Sequence, residues 1–126
     1  MTDEDFNNLI VRAMNELPQK HIKGLDNIAI VQADDPDEHQ RTKAGVKEGG
    51  LLLGLYEGIP LTQRGAGYTF VLPDKITLFK NPILTIAGHD ETKLFEQIKR
   101  TLWHEIAHYY GLDHSHIDNL LRRQKS

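Results

Sequence analysis

The sequence contains no cysteine, and this absence restricts the chemistry that the chain can carry. Disulfide bonds, thiolate metal sites and cysteine nucleophiles are all excluded. Any bound metal ion would therefore need histidine and carboxylate side chains as its ligands.

Long apolar runs and a strong excess of one charge are absent as well. No apolar stretch approaches the length of a membrane span, and the first five residues, MTDED, lack the basic and apolar regions of a signal peptide. We therefore expect a cytoplasmic protein without membrane contacts. The chain has 15 basic and 18 acidic residues, a formal net charge of −3, which predicts no binding to nucleic acid.

The remaining composition is that of an ordinary globular protein. The chain has 126 residues, of which 39% are hydrophobic and 26% are charged. We expect one domain that spans residues 1–126 and buries a modest core.

The pattern of apolar residues and helix-capping residues predicts a mixed architecture. A first helix, capped by Thr2 or Asp3, is expected to end near Leu17, and strands are expected at 27–32, 51–58 and 75–80, with a shorter one at 68–72. The first strand is expected to be buried and the third to have one solvent-facing side. Segment 34–50 reads as a long surface loop. Pro60, just past the second strand, favours an edge position for that strand.

Three further helices are predicted after the strands. One spans about 81–87, a long one runs from its cap at Asp90 to about Tyr110, and a last one covers about 115–123. The whole order predicts the α+β class, with a small sheet of three or four strands that is mixed or largely antiparallel.

The most informative stretch is residues 104–114, HEIAHYYGLDH, which has the pattern H-E-x-x-H-x-x-G-x-x-H. On a helix, His104 and His108 lie on one face, about 6 Å apart along the axis, where two imidazoles can bind one metal ion. Glu105 lies beside them and can accept a proton from a metal-bound water. Gly111 can adopt a positive φ and end the helix.

The long helix is expected to separate its core face from this site. An apolar stripe predicts the core face: Leu94, Phe95, Ile98, Leu102, Ile106 and Tyr109. A second sector holds Thr101, His104, Glu105 and His108, and we expect it to face away from the core.

A third metal ligand must come from the short segment after Gly111. Only 18 residues follow His108, and none of them is a glutamate. The candidates are Asp113, His114, His116 and Asp118. His114 has the spacing expected of the third ligand and is preferred. Asp113 is expected to accept a hydrogen bond from the N–H of a metal-binding imidazole and so to support the site without binding the metal.

Three stretches together resemble the small zincin-like metallopeptidase domains of bacteria, the minimal zincins. They are residues 53–65 (LGLYEGIPLTQRG), residues 73–79 (PDKITLF) and the motif within 103–114. The resemblance implies a compact zincin-like fold, with His104, His108 and His114 as ligands of one zinc ion and Glu105 as general base. The motif is shared with the metzincin proteases, but their methionine turn is missing, since Met1 and Met14 are the only methionines.

We therefore expect a zinc-dependent metallopeptidase that acts on a peptide or protein lying along the 53–58 strand. Tyr56, Arg64, Tyr109 and Tyr110 are candidates for the group that stabilises the oxyanion, and spacing does not choose among them. For the tyrosines, packing at the margin of the core is the preferred role.

Two alternatives from other classes remain open at the level of sequence. A bacterial family of metal-dependent endoribonucleases has the pattern H-G-x-x-H-x-x-G-x-D-H, in which a glycine stands where this chain has Glu105. The other alternative is a metal-binding or peptide-binding module that catalyses no reaction.

Overall fold

The computed structural model describes residues 1–64 and 73–112. Its helices are α1 (Asp3–Glu16), α2 (Gln19–Lys23), α3 (Glu38–Ala44), α4 (Lys80–Ala87) and α5 (Glu91–Tyr110). Its strands are β1 (Ile28–Ala33), β2 (Gly54–Glu57) and β3 (Asp74–Phe79), and a 3₁₀ turn covers Leu61–Gln63. The predicted 68–72 strand and the predicted 115–123 helix lie outside the described residues.

Side-chain caps fix the starts of the two main helices, as the sequence predicted. The Thr2 hydroxyl accepts a hydrogen bond from the Asp5 N–H (3.0 Å), and the Asp5 carboxylate accepts one from the Thr2 N–H (3.4 Å). This reciprocal pair satisfies two of the backbone donors exposed at a helix start. Asp90 caps α5 by accepting from the Lys93 N–H (3.1 Å).

The three strands form one mixed sheet in the order β1-β3-β2. The central strand, β3, pairs with β1 in parallel and with β2 antiparallel. Strand β2 is thus an edge strand within the described part of the chain, as Pro60 predicted. These elements confirm the predicted α+β class and its small mixed sheet.

The core lies between the sheet and the helices α1 and α5. Its fully buried members include Phe6, Ala13, Ile76, Leu78, Ile98, Leu102, Trp103 and Ile106. Every residue of the predicted apolar stripe of α5 is buried, from Leu94 to Tyr109. Helix α5 is about 30 Å long, and it contacts α1, α4, β2 and β3.

The prediction of a continuous loop at 34–50 was wrong, because this segment contains α3. Asp37 caps the helix by accepting from the Gln40 N–H (2.7 Å), and the Gln40 side chain accepts from the Asp37 N–H (3.0 Å). Gly45 ends it with a φ of 72°. The acidic run suggested a loop, but one of its members, Asp37, caps a short helix that Gly45 ends.

The burial predicted for two strands also needs correction. Strand β1 was expected to be buried, yet its residues are only partly buried and Val31 is exposed, because β1 lies at an edge of the sheet that the described strands form. Strand β3 was expected to have one solvent-facing side. Within this strand, however, only Lys75 is exposed, and Thr77 is buried with 2% exposure. The central position of β3 buries both of its faces.

Of the described helices, none is long and apolar enough to cross a membrane.

Candidate metal centre

The C-terminal end of α5 places the histidine motif at the margin of the sheet. The helix ends in a Schellman motif, in which the Leu112 N–H donates to the Ala107 carbonyl (2.9 Å) and the Gly111 N–H donates to the His108 carbonyl (3.0 Å). Gly111 has a φ of 77°, as its predicted role as helix terminator requires. A Cβ at Gly111 would also collide with the Thr62 side chain, so the glycine lets the 3₁₀ turn approach the helix end.

His104, Glu105 and His108 form a cluster of possible metal ligands within the described residues. One ligand atom from each side chain lies within 4.8 Å of the others, and the two imidazole rings are 4.5 Å apart between centroids. Both histidines are half-buried, whereas Glu105 is 6% exposed. The imidazoles are therefore accessible, while the carboxylate is held inside.

Glu105 is held by the backbone of the edge strand. Its Oε1 accepts a hydrogen bond from the Tyr56 N–H (3.0 Å) and lies 3.3 Å from Nδ1 of His108. The hydrogen bond with Glu105 raises the pKa of His108, against the lowering that burial causes. A buried carboxylate with a fixed backbone donor has a defined orientation next to the two imidazoles.

The prediction that this sector faces away from the core was only partly right. Thr101 and Glu105 are each 6% exposed, because α5 packs against β2 at Gly54. A Cβ on Gly54 would lie 2.8 Å from Cγ2 of Thr101 and 3.3 Å from Cγ of Glu105. The missing side chain of Gly54 thus allows the close approach that brings Glu105 to the strand.

The donor set suits one zinc ion. Two imidazole nitrogens and a nearby carboxylate are typical of zinc enzymes, and two ligands of a tetrahedral zinc ion stand about 3.4 Å apart. The cluster, with all its ligand atoms within 4.8 Å, is about the right size for one ion. A catalytic zinc site of this kind needs a third protein ligand, and the predicted ligand His114 lies outside the described residues, as do Asp113, His116 and Asp118.

Two clefts flank the cluster on either side. The first, which we call the His104 cleft, has a volume of about 280 Å³ and is lined by Leu53, Gly54, Gln97, Arg100, Thr101, His104 and Glu105. The second, the His108 cleft, has a volume of about 350 Å³ and is lined by Tyr56, Gly58, Pro60, Gln63, His108, Gly111 and Leu112. The possible metal ligands therefore lie between two recesses along the β2 edge.

A buried ion pair supports the wall of the His108 cleft. Oδ2 of Asp74 accepts hydrogen bonds from the Arg64 guanidinium and from the Tyr56 hydroxyl, both at 2.6 Å. Asp74 is 5% exposed, and a Cβ on Gly58 would collide with its carboxylate. The Arg64 side chain also donates to the Ile59 carbonyl (2.8 Å). These contacts hold segment 58–64 against the start of β3.

The four predicted oxyanion donors all have other hydrogen-bond partners in this structure. Tyr56 and Arg64 donate to Asp74, the Tyr109 hydroxyl lies beside the Asp26 backbone, and the Tyr110 hydroxyl donates to the His21 carbonyl at 2.5 Å. Burial, followed by the hydrogen bond to Asp74, raises the pKa of Tyr56 far above its usual range. The three tyrosines thus contribute to packing, the role that the sequence favoured for them.

Sequence reasoning missed three residues that shape the site, namely Gly54, Asp74 and Arg100. Gly54 and Asp74 were included only as members of the stretches 53–65 and 73–79, and Arg100 was not considered. A glycine inside an apolar strand is a known sign of close backbone approach, so Gly54 carried a usable signal. Asp74 carried none, because its partners Tyr56 and Arg64 are not its neighbours in the sequence. Arg100 carried none, because Leu53 and Gly54, which complete its cleft, come from a distant strand.

Comparisons with known proteins identify the family of the chain. No curated protein matches the chain. A solved structure of a conserved hypothetical protein from Thermus thermophilus is similar, with 26% identity, a TM-score of 0.56 and coverage of 97% of this chain and 99% of that one. The model of the zincin-like metallopeptidase family matches residues 25–123. With most of its length and the whole histidine motif inside that match, the chain belongs to the zincin-like metallopeptidase family.

Proposed function

We propose that the protein is a zinc-dependent peptidase, with His104, His108 and His114 as metal ligands and Glu105 as general base. The observation that carries the proposal is the cluster of two accessible imidazoles and one buried, oriented carboxylate between two clefts. Membership of a metallopeptidase family supports the same reaction class. A single metal ion is sufficient for this chemistry.

Glu105 would carry the proton transfers of the reaction. Zinc bound at the histidines would supply Lewis acidity, which polarises the scissile carbonyl and lowers the pKa of the attacking water. Glu105 accepts the proton of that water and returns it to the leaving amine. The Tyr56 N–H holds the carboxylate in place through both steps.

The edge of β2 would bind the peptide backbone. Leu53 accepts from the Phe79 N–H, and the register pairs Leu55 with Thr77, so the polar backbone groups of Gly54 point away from β3. A peptide added along this edge would run past the metal cluster, with its side chains near the two clefts. The Tyr56 N–H already donates to Glu105. We therefore expect the peptide to pair with Gly54 rather than with that N–H.

The test is cleavage of a peptide library by the zinc-loaded protein, read by mass spectrometry. Glu105→Gln should retain its zinc and lose the activity by about 10²- to 10⁴-fold, the usual contribution of a general base. Glu96→Gln, which removes an exposed carboxylate from the same helix, is the matched control and should keep wild-type activity.

Two other outcomes would support the alternative functions. RNA cleavage that survives Glu105→Gln but is lost in His114→Ala would favour an endoribonuclease. Stoichiometric zinc that raises the melting temperature, with no peptide cleaved, would favour a binding module without turnover.

A further inference from the structure

The His104 cleft has an apolar wall and one cationic side chain at its mouth. Leu53 and Gly54 come from the edge strand, and Thr101 adds a side chain from α5. The Gln97 amide donates to the Thr101 hydroxyl (3.1 Å), so both polar groups are engaged with each other. With about 280 Å³, the cleft is slightly smaller than ordinary small-molecule pockets, and its size suits a single side chain.

Arg100 is the cationic group of this cleft. It lies four residues before His104, on the same side of α5, and it is exposed. Within residues 1–64 and 73–112, its guanidinium has no hydrogen bond or ion pair with another side chain. Arg12 and Arg64, in contrast, are paired with Glu16 and Asp74.

An arginine with no protein partner among the described residues, next to a short apolar wall, suits a ligand that combines methylene groups with a carboxylate. The guanidinium can form two parallel hydrogen bonds with a carboxylate, which a neutral amide of the same shape cannot match in strength. Leu53 and Thr101 would contact the methylene groups. Glu105 is the one carboxylate among the described residues that line this cleft, and its Oε1 is already bound to the Tyr56 N–H.

We propose that the His104 cleft is a specificity subsite that selects a carboxylate of the substrate through Arg100. The proposal rests on the proposed peptidase function and adds the class of substrate, namely peptides with an acidic residue or a terminal carboxylate at one fixed position from the cleaved bond. Arg100 acts in specificity and takes no part in the proton transfers.

The experiment uses two libraries of octapeptides, one with an amidated C-terminus and one with a free carboxyl group. Cleavage sites are mapped with the zinc-loaded wild type, and retained peptides are identified on the immobilised zinc-loaded Glu105→Gln variant. We expect Asp and Glu to exceed Asn and Gln by about tenfold at one position, the ratio that a charge-assisted hydrogen bond commonly gives. Enrichment only in the free-carboxyl library, at a fixed distance from the end, would identify the terminal carboxylate as the source.

Variants of Arg100 separate specificity from folding. Arg100→Gln should abolish the acidic preference without changing zinc content, and Arg100→Glu should replace it with a preference for Lys and Arg. Arg12→Gln is the control, because it removes the same charge from an exposed arginine that does not line this cleft. The preference should be unchanged in that variant.

The outcomes distinguish this inference from the proposed function. Cleavage without any acidic preference, or a preference that survives Arg100→Gln, would overturn the inference and leave the peptidase standing. Retention of acidic peptides without cleavage would support the subsite and overturn the peptidase. If the wild type cleaves no peptide and the Glu105→Gln variant retains none, both proposals are overturned.

Discussion

Gly54 is the residue on which the position of Glu105 depends most directly. Helix α5 approaches β2 so closely here that an added methyl group would lie 2.8 Å from Cγ2 of Thr101. The same approach brings the Glu105 carboxylate to the Tyr56 N–H. The position of Glu105, the proposed general base, therefore depends on a residue without a side chain.

Replacing Gly54 with alanine should lower the free energy of unfolding by about 1–3 kcal/mol, the usual cost of overpacking. Urea denaturation measures the loss. Thr101→Ser removes the methyl group that collides, so the double variant should recover part of that stability, and the coupling between the two sites can be read from a double-mutant cycle. Strictly additive effects would contradict the close contact between these residues.

At the scale of single residues, the sequence predicted the residues of the motif but not the residues that surround them. The spacing of His104, Glu105 and His108 places them together on any helix, because 3.6 residues make one turn. The contacts of Glu105 with Tyr56 and Gly54 join residues about 50 positions apart, and no local pattern encodes them. The third ligand His114 stays a prediction.

At the scale of elements, the helices were predicted better than the strands. Capping residues mark helix ends within a few positions, so α1 and α5 begin where Thr2 and Asp90 predicted. The burial of a strand depends on its neighbours in the sheet. Lys75 and Thr77 alternate with apolar residues as in a half-exposed strand, yet β3 is central and Thr77 is buried.

Segment 58–64, which follows β2, depends on the buried pair Arg64–Asp74. Its partners are 2.6 Å apart, with side chains only 15% and 6% exposed. Removal of one partner from such a pair leaves a charge that is neither solvated nor fully paired. This pair links the wall of the His108 cleft to the start of the central strand.

Arg64→Ala should lower the free energy of unfolding by about 3–5 kcal/mol, because among the described side chains the Asp74 carboxylate would keep only the Tyr56 hydroxyl as a hydrogen-bond donor. Arg12→Ala is the comparison, since its pair with Glu16 spans 3.4 Å between side chains that are 58% and 44% exposed. Its cost should stay within about 1–2 kcal/mol, because an exposed ion pair and the contact of Arg12 with the Phe95 ring (4.0 Å to the centroid) are both weak. Equal losses in chemical denaturation would contradict the structural role assigned to the buried pair.

At the scale of the whole molecule, the site forms where the longest helix crosses the edge of a three-stranded sheet. Helix α5 contributes His104, His108 and Glu105, β2 contributes the N–H that binds the Glu105 carboxylate, and the turn at Thr62 packs against the helix end. The α+β class followed from the order of elements in the sequence. The strand order β1-β3-β2 did not, because it depends on pairing between distant segments.

This arrangement also explains why a short chain can hold such a site. The core stripe of α5 is buried against α1 and the sheet along the part of the helix that carries the motif. The proposed metal ligands then need only the helical repeat and one further residue after Gly111. Binding of the metal ion depends on the packing of the helix, on the helical repeat and on the residue after Gly111 together.

The most direct measurement is the zinc content of the purified protein beside a set of single variants, read by elemental mass spectrometry. We expect about one zinc ion per chain in the wild type. His104→Ala, His108→Ala and His114→Ala should lose it, whereas Glu105→Gln and the control His116→Ala should keep it. Full zinc occupancy in His104→Ala or His108→Ala would contradict the proposed metal centre, and full occupancy in His114→Ala would contradict the third ligand.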